Sequence, residues 1–279
     1  MKFARATRGR WHDGCVRRVV VVVAAALVLT GCGASGSPAP TATAEPPATA
    51  APSPTPSTPA PAPEPAPTPS ATEEPAQPDA SAFDLDTGAS LQVVVNKRRP
   101  LQPPDYRPEL VAVSSAQEGG ELVRPELDAA LAAMSHVMRA EIGEGTFVFS
   151  SYRGYERQAE LYSGYVARYG QAEADTTSAR PGHSEHQTGL AIDVSGTGGA
   201  CRLATCFGDT AAGRWLAEHA WQHGFVVRYP RGLEHITGYE WEPWHLRYVG
   251  VEVSTAMHES GAATLEEHFG LEPAPDYAP

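Results

Sequence analysis

The clearest periodic pattern in the chain begins at Pro125, where apolar residues recur every three or four positions. The repeating positions are Leu127, Ala130, Leu131, Met134, Val137 and Met138. This spacing places them on one face of a helix, and proline is well tolerated in a first helical turn. Two further helices are predicted over about 155–169 and 210–223, because Gly170 and Gly224 follow them.

Short apolar runs elsewhere in the chain predict strands. These runs cover residues 91–96, 146–150, 189–194, 225–229 and 245–249. Helices come first and short strands later, without regular alternation of strand and helix. We therefore predict an α+β fold, a compact single domain with a central, mostly antiparallel sheet flanked by helices.

The N-terminal segment has the pattern of an export signal. Basic residues precede an apolar run of twelve residues, 19–30, which is too short to span a bilayer but suits a signal-peptide core. The run ends at Gly31 and Cys32, which resemble a bacterial lipid-attachment site. We predict a lipoprotein signal peptide over 1–32 with Cys32 acylated. The alternatives are an ordinary signal peptide or twin-arginine export, and the residues around Arg17 and Arg18 do not otherwise support the latter.

The next segment cannot build a core. Of the 26 prolines in the chain, 15 lie between Pro38 and Pro78, among repeated Ala, Thr and Ser residues. Segments of this composition favour extended polyproline II and act as spacers. We predict a disordered tether over 33–80, a folded domain over 81–270 and a disordered tail over 271–279. Disordered filler is the alternative interpretation of the tether.

Charge and cysteine content narrow the function classes. The formal net charge is −12, and a chain of this sign gains nothing from counterion release, so we expect no nucleic-acid partner. Two of the four cysteines, Cys15 and Cys32, belong to the predicted signal peptide. The remaining pair, Cys201 and Cys206, predicts a local disulfide in an oxidising compartment. A zinc site there is the weaker alternative, because no second cysteine pair accompanies it.

Two polar segments carry candidate metal ligands. His186 lies in a polar loop, and Asp193 lies in an otherwise apolar strand, where a carboxylate is costly unless it is paired or binds a metal. His245 begins a later predicted strand. Two histidines and one aspartate would supply three zinc ligands and leave the fourth position for water. Glu242, three residues before His245, would then be the general base.

Other residues are more ambiguous. Arg153 follows a predicted strand, and its guanidinium could bind a carboxylate or stabilise an oxyanion. His219 and His223 are four residues apart, but no glutamate follows the first histidine as in metalloprotease helices, which favours ordinary helix positions. Trp241 and Trp244 could line a groove or pack in the core. By spacing alone, each candidate ligand could equally be a loop or core residue.

Three motifs closely resemble those of the VanY-type D-alanyl-D-alanine carboxypeptidases, which are zinc peptidases that act on peptidoglycan stem peptides. The motifs are SSYRGYERQ at 150–158, RPGHSEHQTGLAID at 180–193 and EPWHLRYVG at 242–250. The similarity extends over about 93–250, most of the foldable chain. It implies a compact α+β domain with a central antiparallel sheet.

The resemblance also implies roles for individual residues. These are zinc ligands at His186, Asp193 and His245, a catalytic base at Glu242, and substrate contacts at Arg153, Gln158 and Ser184. Arg153 could act on the substrate or on the transition state. The implied cofactor is zinc, and the implied partners are peptidoglycan stem peptides.

The implied activity is that of a zinc-dependent D,D-carboxypeptidase, which removes the C-terminal D-alanine from stem peptides ending in D-Ala-D-Ala. An L,D-carboxypeptidase and an endopeptidase on the same peptides are alternatives, and a catalytically silent wall-binding module is an alternative of another class. We expect a monomer that is lipid-anchored through Cys32 to the outer face of a bacterial cell membrane.

Overall fold

The structure, a computed structural model, describes residues 82–277. The predicted signal peptide, the acylation site at Cys32 and the proline-rich tether over 33–80 lie outside the described residues. Over 82–277, no helix has the length and apolar character needed to cross a membrane.

The helices and strands follow the predicted order, with several additions. The helices are α1 (Pro125–Ile142), α2 (Tyr155–Tyr169), α3 (Gln171–Thr177), α4 (Ala211–His219), α5 (Glu234–Thr237), α6 (Val251–Ser260) and α7 (Leu265–His268). The strands are β1 (Val111–Ala112), β2 (Ala116–Gln117), β3 (Leu122–Val123), β4 (Thr146–Ser150), β5 (Ala191–Gly196), β6 (Phe225–Val227) and β7 (His245–Tyr248). The third predicted helix is α4 continued by a 3-10 turn over Ala220–His223.

Five strands form one sheet in the order β2-β4-β5-β7-β6. Strand β2 runs parallel to β4, and the other three pairs are antiparallel. The predicted α+β class with a mostly antiparallel sheet is therefore confirmed. Strand β5 has neighbours on both sides, and all of its residues are buried. Strands β1 and β3 pair separately.

Helix α1 packs its predicted apolar face into the main core. The fully buried residues of this face are Leu127, Leu131, Met134 and Met138. They belong to one cluster with residues of the central strands, namely Val148, Ile192 and Leu246. Burying a side chain of this size stabilises the fold by about 1.5–3 kcal/mol. The core therefore holds α1 against β4, β5 and β7, the strands that carry the candidate site.

Residues 91–96 do not form a strand, so that prediction was wrong. The three valines at 93–95 are buried, as the apolar run suggested. The carbonyl oxygens of Leu91 and Val93 accept hydrogen bonds from the Arg247 guanidinium, at 3.1 and 2.7 Å. Because a side chain provides these donors, this buried backbone does not need a neighbouring strand for them.

The segment after residue 270 packs against the domain, so the predicted disordered tail is wrong for residues 271–277. Ala274 is fully buried, and its N–H donates to the carbonyl of Ile236 at 2.7 Å. The Tyr277 hydroxyl accepts from the Arg180 N–H at 2.8 Å, and the Arg180 guanidinium lies 4.0 Å from the centre of the Tyr277 ring. One small and one aromatic residue thus attach a segment whose sequence has no apolar periodicity.

Candidate active site

His186, Asp193 and His245 come together in a buried group that we call the metal cluster. Asp193 in β5 and His245 in β7 are directly paired across the sheet, so their side chains lie on the same face. His186 lies in a 3-10 turn, Glu185–Thr188, that leads into β5. Potential ligand atoms of the three residues all lie within 4.8 Å of one another.

One nitrogen of His186 faces the metal cluster. Its Nδ1 lies 2.7 Å from the carbonyl oxygen of Ser151, and a carbonyl can only accept, so Nδ1 carries the proton. Its Nε2 lies 3.3 Å from Oδ2 of Asp193. Burial lowers the pKa of His186 and favours the neutral ring. His186 therefore offers the lone pair of Nε2 as a ligand.

His245 has its ring held between two carboxylates. Its Nδ1 lies 3.1 Å from Oδ1 of Asp193, and its Nε2 lies 3.5 Å from Oε2 of Glu185. Burial lowers the pKa of His245, but the hydrogen bond to Asp193 and the nearby carboxylate of Glu185 outweigh it and raise the pKa to about 9. A metal at Nδ1 must displace a proton there. A carboxylate facing the other nitrogen is a common partner of metal-bound histidine.

Glu185 is fully buried and is held by two arginines. Its Oε1 accepts hydrogen bonds from Arg228 Nε and Arg247 Nη1, both at 2.9 Å. Arg228 also donates two hydrogen bonds to Glu266, at 2.7 and 2.9 Å. Burial opposes ionisation, but the two guanidinium groups hold the pKa of Glu185 well below its usual range. We call Glu185, Arg228, Arg247 and Glu266 the charge cluster.

The motifs in the sequence did not point to Glu185. In the sequence, only its position directly before His186 could have indicated a role. This position is not informative, because many exposed glutamates also have a charged or polar neighbour. The signal that identifies it is three-dimensional, because Arg228 and Arg247 lie 43 and 62 residues further along the chain.

Glu242 lies beside the metal cluster. Its Oε2 is 3.7 Å from Nδ1 of His245, and its carbonyl oxygen accepts from the His245 N–H at 3.1 Å. Burial, with a smaller contribution from the Asp193 carboxylate, raises the pKa of Glu242 to about 8. Glu242 is not one of the three residues of the metal cluster. Its carboxylate is close enough to them to exchange a proton with a water molecule that a bound metal would hold.

The structure separates the three predicted substrate contacts. Arg153 and Ser184 line the same cleft as the metal cluster. Gln158 is fully buried and is not among the residues that line the cleft. Its Oε1 accepts from Arg153 Nε at 2.6 Å, and its Nε2 donates to the carbonyl of Ala179 at 2.5 Å. Gln158 therefore positions the guanidinium of Arg153.

The cleft has a volume of about 780 Å³. Its aromatic lining consists of Phe149, Tyr165, Tyr229, Tyr239, Trp241 and Trp244. Trp244 also packs against the main core. This residue therefore does both things that the sequence left as alternatives, lining the cleft and packing in the core. His183, His219 and His223 do not belong to the metal cluster: His183 bonds the Asn96 carbonyl, and His219 and His223 contact the Trp215 ring.

The donors of the metal cluster fit zinc. Two imidazole nitrogens and a carboxylate oxygen are ligands that catalytic zinc sites use, with a further position for water. A buried glutamate beside them and an arginine in the same cleft complete the side chains that hydrolysis at a carbonyl requires. Fold and site together define a metal-dependent peptidase.

Comparisons with known proteins identify the family. A model of the VanY D-alanyl-D-alanine carboxypeptidase family matches residues 120–251. YodJ of Bacillus subtilis (strain 168), named as a carboxypeptidase, is 37% identical over 186 residues, which cover 64% of this chain and 67% of YodJ. A D-alanyl-D-alanine carboxypeptidase of Enterococcus faecalis (strain ATCC 700802 / V583) is 35% identical over 189 residues, 64% of this chain and 66% of the relative. The chain belongs to the VanY D-alanyl-D-alanine carboxypeptidase family.

Solved structures agree with this assignment. The LD-carboxypeptidase LdcB is 38% identical with a TM-score of 0.62, over 66% of this chain and 87% of LdcB. The L,D-carboxypeptidase DacB of Streptococcus pneumoniae is 42% identical with a TM-score of 0.52, over 66% and 89%. A D,D-pentapeptidase VanY variant in complex with Zn(II) is 33% identical with a TM-score of 0.53, over 63% and 97%. The protein is a metallocarboxypeptidase, and zinc is its cofactor.

Proposed function

We propose that the protein is a D,D-carboxypeptidase that removes the C-terminal D-alanine from peptidoglycan stem peptides ending in D-Ala-D-Ala. The observation that carries the proposal is the convergence of the metal cluster, Glu242 and Arg153 on one cleft in a member of the VanY family. A relative that is 35% identical is named for this activity.

In the proposed mechanism, Nε2 of His186, a carboxylate oxygen of Asp193 and Nδ1 of His245 would hold the zinc ion. Zinc held there would polarise the carbonyl and lower the pKa of water towards about 7. Glu242 accepts the proton of the water that attacks the carbonyl carbon. It then donates this proton to the departing amine of D-alanine as the peptide bond breaks, which regenerates the carboxylate.

Arg153 binds the free carboxylate that distinguishes a chain end. Its Nε is bonded to Gln158, so its terminal NH groups are left for a carboxylate, to which guanidinium binds with two parallel hydrogen bonds. Ser184 lines the same cleft and supplies a further polar contact. The fixed position of Arg153 favours exopeptidase over endopeptidase cleavage, since an internal peptide bond has no such carboxylate.

An L,D-carboxypeptidase is the second candidate. The LdcB and DacB structures are 38% and 42% identical to this chain, against 33% for the zinc-bound VanY variant. Both activities release D-alanine and use the same hydrolytic groups. They differ in the residue before the scissile bond, which is D-alanine for a D,D-carboxypeptidase and a residue of L configuration for an L,D-carboxypeptidase.

The experiment compares two muropeptides under the same conditions. The purified zinc-loaded protein is incubated with a pentapeptide ending in D-Ala-D-Ala and with a tetrapeptide ending in one D-Ala, and released D-alanine is measured. Faster release from the pentapeptide supports the D,D activity, and faster release from the tetrapeptide establishes the L,D activity instead. Cleavage of cross-linked dimers alone, or of no substrate, would overturn the proposal. The Glu242→Gln protein is the inactive control.

We also propose that Cys32 is acylated and that residues 33–80 hold the domain away from the outer face of the membrane. The apolar run that ends at Gly31 and Cys32, and the proline-rich composition after it, support this proposal. The wild-type protein should partition with membranes, and Cys32→Ser should be released or remain unprocessed. Equal membrane retention of a processed Cys32→Ser protein would contradict it.

A further inference from the structure

A loop closed by a disulfide forms part of the cleft wall. Cys201 and Cys206, the predicted pair, are joined by a disulfide, and we call residues 201–206 the disulfide loop. Four of its residues line the cleft that contains the metal cluster: Arg202, Leu203, Ala204 and Thr205. The loop therefore belongs to the site by position, although the proposed chemistry uses none of its residues.

The backbone of this loop adopts conformations that L-amino acids rarely take. The φ angle is +55° at Cys201 and +51° at Leu203, and over residues 82–277 no other residue except glycine has a positive φ. A left-handed conformation is unfavourable for a residue with a Cβ, whereas glycine adopts it readily. Strained residues of this kind concentrate at functional sites. Leucine at position 203 is thus a costly choice that points to a use for its side chain.

Leu203 also exposes its apolar surface inside a binding cleft. The residue is 57% exposed, more than any other exposed large hydrophobic residue in the described part of the chain. Single exposed leucines are ordinary on a protein surface. In a cleft, however, a ligand that covers such a side chain removes apolar surface from water, which favours binding.

The loop is held in place at several points. Cys201 packs against the main core, and Phe207, directly after the loop, is fully buried. Arg202 forms an ion pair with Glu118. Its guanidinium lies 4.5 Å from the centre of the Phe149 ring, which also lines the cleft. A wall fixed in this way loses little conformational entropy when a ligand binds.

The cleft is larger than the end of the peptide requires. Its volume of about 780 Å³ lies within the range of about 300–1,000 Å³ typical of pockets for drug-sized ligands. A terminal pair of alanines is much smaller than such a ligand. The cleft therefore has room for residues that precede the scissile bond, and the disulfide loop is part of the wall of this cleft.

We propose that the disulfide loop is a fixed wall of the peptide-binding cleft and that Leu203 is a specificity-determining residue. Leu203 contacts an aliphatic side chain of the stem peptide upstream of the two terminal residues. This inference rests on the proposed function as a peptidase of stem peptides. It predicts that Leu203 affects long substrates and leaves the hydrolysis of short ones unchanged.

The test compares a complete stem peptide with a short acylated peptide that carries the same two terminal residues. Leu203→Ala should lower kcat/KM for the complete peptide about tenfold, mainly through KM, because a contact remote from the reacting atoms contributes uniform binding. Its kcat/KM for the short peptide should stay within about twofold of wild type. Leu203→Gly should give the same discrimination, since it also removes the side chain while relieving the backbone.

Leu122→Ala is the matched control, because Leu122 is an exposed leucine that does not line the cleft. It should leave both substrates unaffected. The double substitution of Cys201 and Cys206 by serine should weaken binding of the complete peptide, with zinc content and short-peptide hydrolysis retained. This result would show that binding of the complete peptide depends on the disulfide that closes the loop and thereby fixes the position of Leu203.

The outcomes separate this inference from the proposed function. If the wild-type protein hydrolyses neither peptide, the proposed function fails. If it hydrolyses both, and Leu203→Ala changes neither rate or changes both equally, the specificity role of Leu203 is wrong while the proposed function stands. A selective loss on the complete peptide supports the inference, and zinc content near wild type excludes damage to the metal cluster as its cause.

Discussion

The metal cluster and the charge cluster are adjacent, and both are buried, but their polar atoms have different partners. In the charge cluster, guanidinium donors face carboxylate acceptors at 2.7–2.9 Å, and each charge has an opposite neighbour. In the metal cluster, potential lone-pair donors face one another at 3.1–3.3 Å. Opposite charges stabilise one another without a further group, whereas converging lone pairs need a cation or protons between them. Both clusters contain buried charged groups, so burial of charge does not distinguish the metal site. The feature that distinguishes it is the convergence of lone pairs on one point.

The two clusters meet at Glu185. One of its oxygens accepts from two arginines of the charge cluster, and the other faces Nε2 of His245. Substitutions in the metal cluster should therefore reduce zinc binding and catalysis, whereas substitutions in the charge cluster should mainly reduce stability.

The largest effect is expected from removing a ligand of the metal cluster. His186→Ala and His245→Ala should each lose most of the zinc, about one ion per chain in the wild type. Hydrolysis should fall to the level of the zinc-free protein, because the polarising cation is lost. Elemental analysis and D-alanine release measure the two effects, and circular dichroism checks the fold. Full zinc retention in both variants would exclude these residues as ligands.

The second effect separates the base from the ligands. Glu242→Gln keeps the shape of the side chain and removes its proton acceptor, so turnover should fall about 10²–10⁴-fold with zinc content near wild type. Glu234→Gln, at an exposed glutamate outside the lining of the cleft, is the control and should change neither quantity. Loss of zinc from Glu242→Gln would make Glu242 a ligand, and normal turnover would remove it from the mechanism.

The third prediction tests the junction of the two clusters. Glu185→Gln should weaken zinc binding about 10–100-fold, because the partner that orients His245 loses its charge. Glu266→Gln removes a carboxylate from the same charge cluster without contact to His245. Glu185→Gln should lower the free energy of unfolding of the zinc-free protein by about 3–5 kcal/mol, since the buried Arg247 loses its carboxylate partner. Glu266→Gln should lower it by less, since Arg228 keeps its hydrogen bond to Glu185.

Chelator competition and urea unfolding measure these two quantities separately. Zinc affinity should fall in Glu185→Gln and stay within about threefold of wild type in Glu266→Gln. Equal losses of zinc affinity in the two variants would mean that Glu185 acts only through general stability.

The smallest effect concerns Arg153 and its positioning residue. Arg153→Lys keeps the charge but loses paired hydrogen bonding, so kcat/KM should fall about tenfold, mainly through KM. Gln158→Ala should have a similar but smaller effect. Because Gln158 acts through Arg153, the double variant should be little worse than Arg153→Lys alone, and a double-mutant cycle measures this coupling. Additive losses would show that Gln158 has an independent role.

Local sequence patterns were sufficient to predict the helices and strands whose bounds depend on interactions between residues close together in the chain. The predicted strand at 146–150 and helix at 155–169 have the bounds of β4 and α2, because alternation, helical spacing and a terminal glycine act over a few residues. The apolar run at 91–96 was misleading, since a strand also requires a partner elsewhere in the chain. Helices α6 and α7 were not predicted, because their short apolar faces are recognisable only against the core that they cover.

The sequence by itself determined the residue types of the site, and its motifs made the family recognisable. The tertiary structure decided which of these residues meet. Asp193 and His245 are 52 residues apart and touch only because β5 and β7 pair in one register. The role of Glu185, the burial of Gln158 and the place of the disulfide loop in the cleft wall also depend on long-range contacts. A residue's chemistry is encoded locally, whereas its partners and its exposure depend on how distant segments pack.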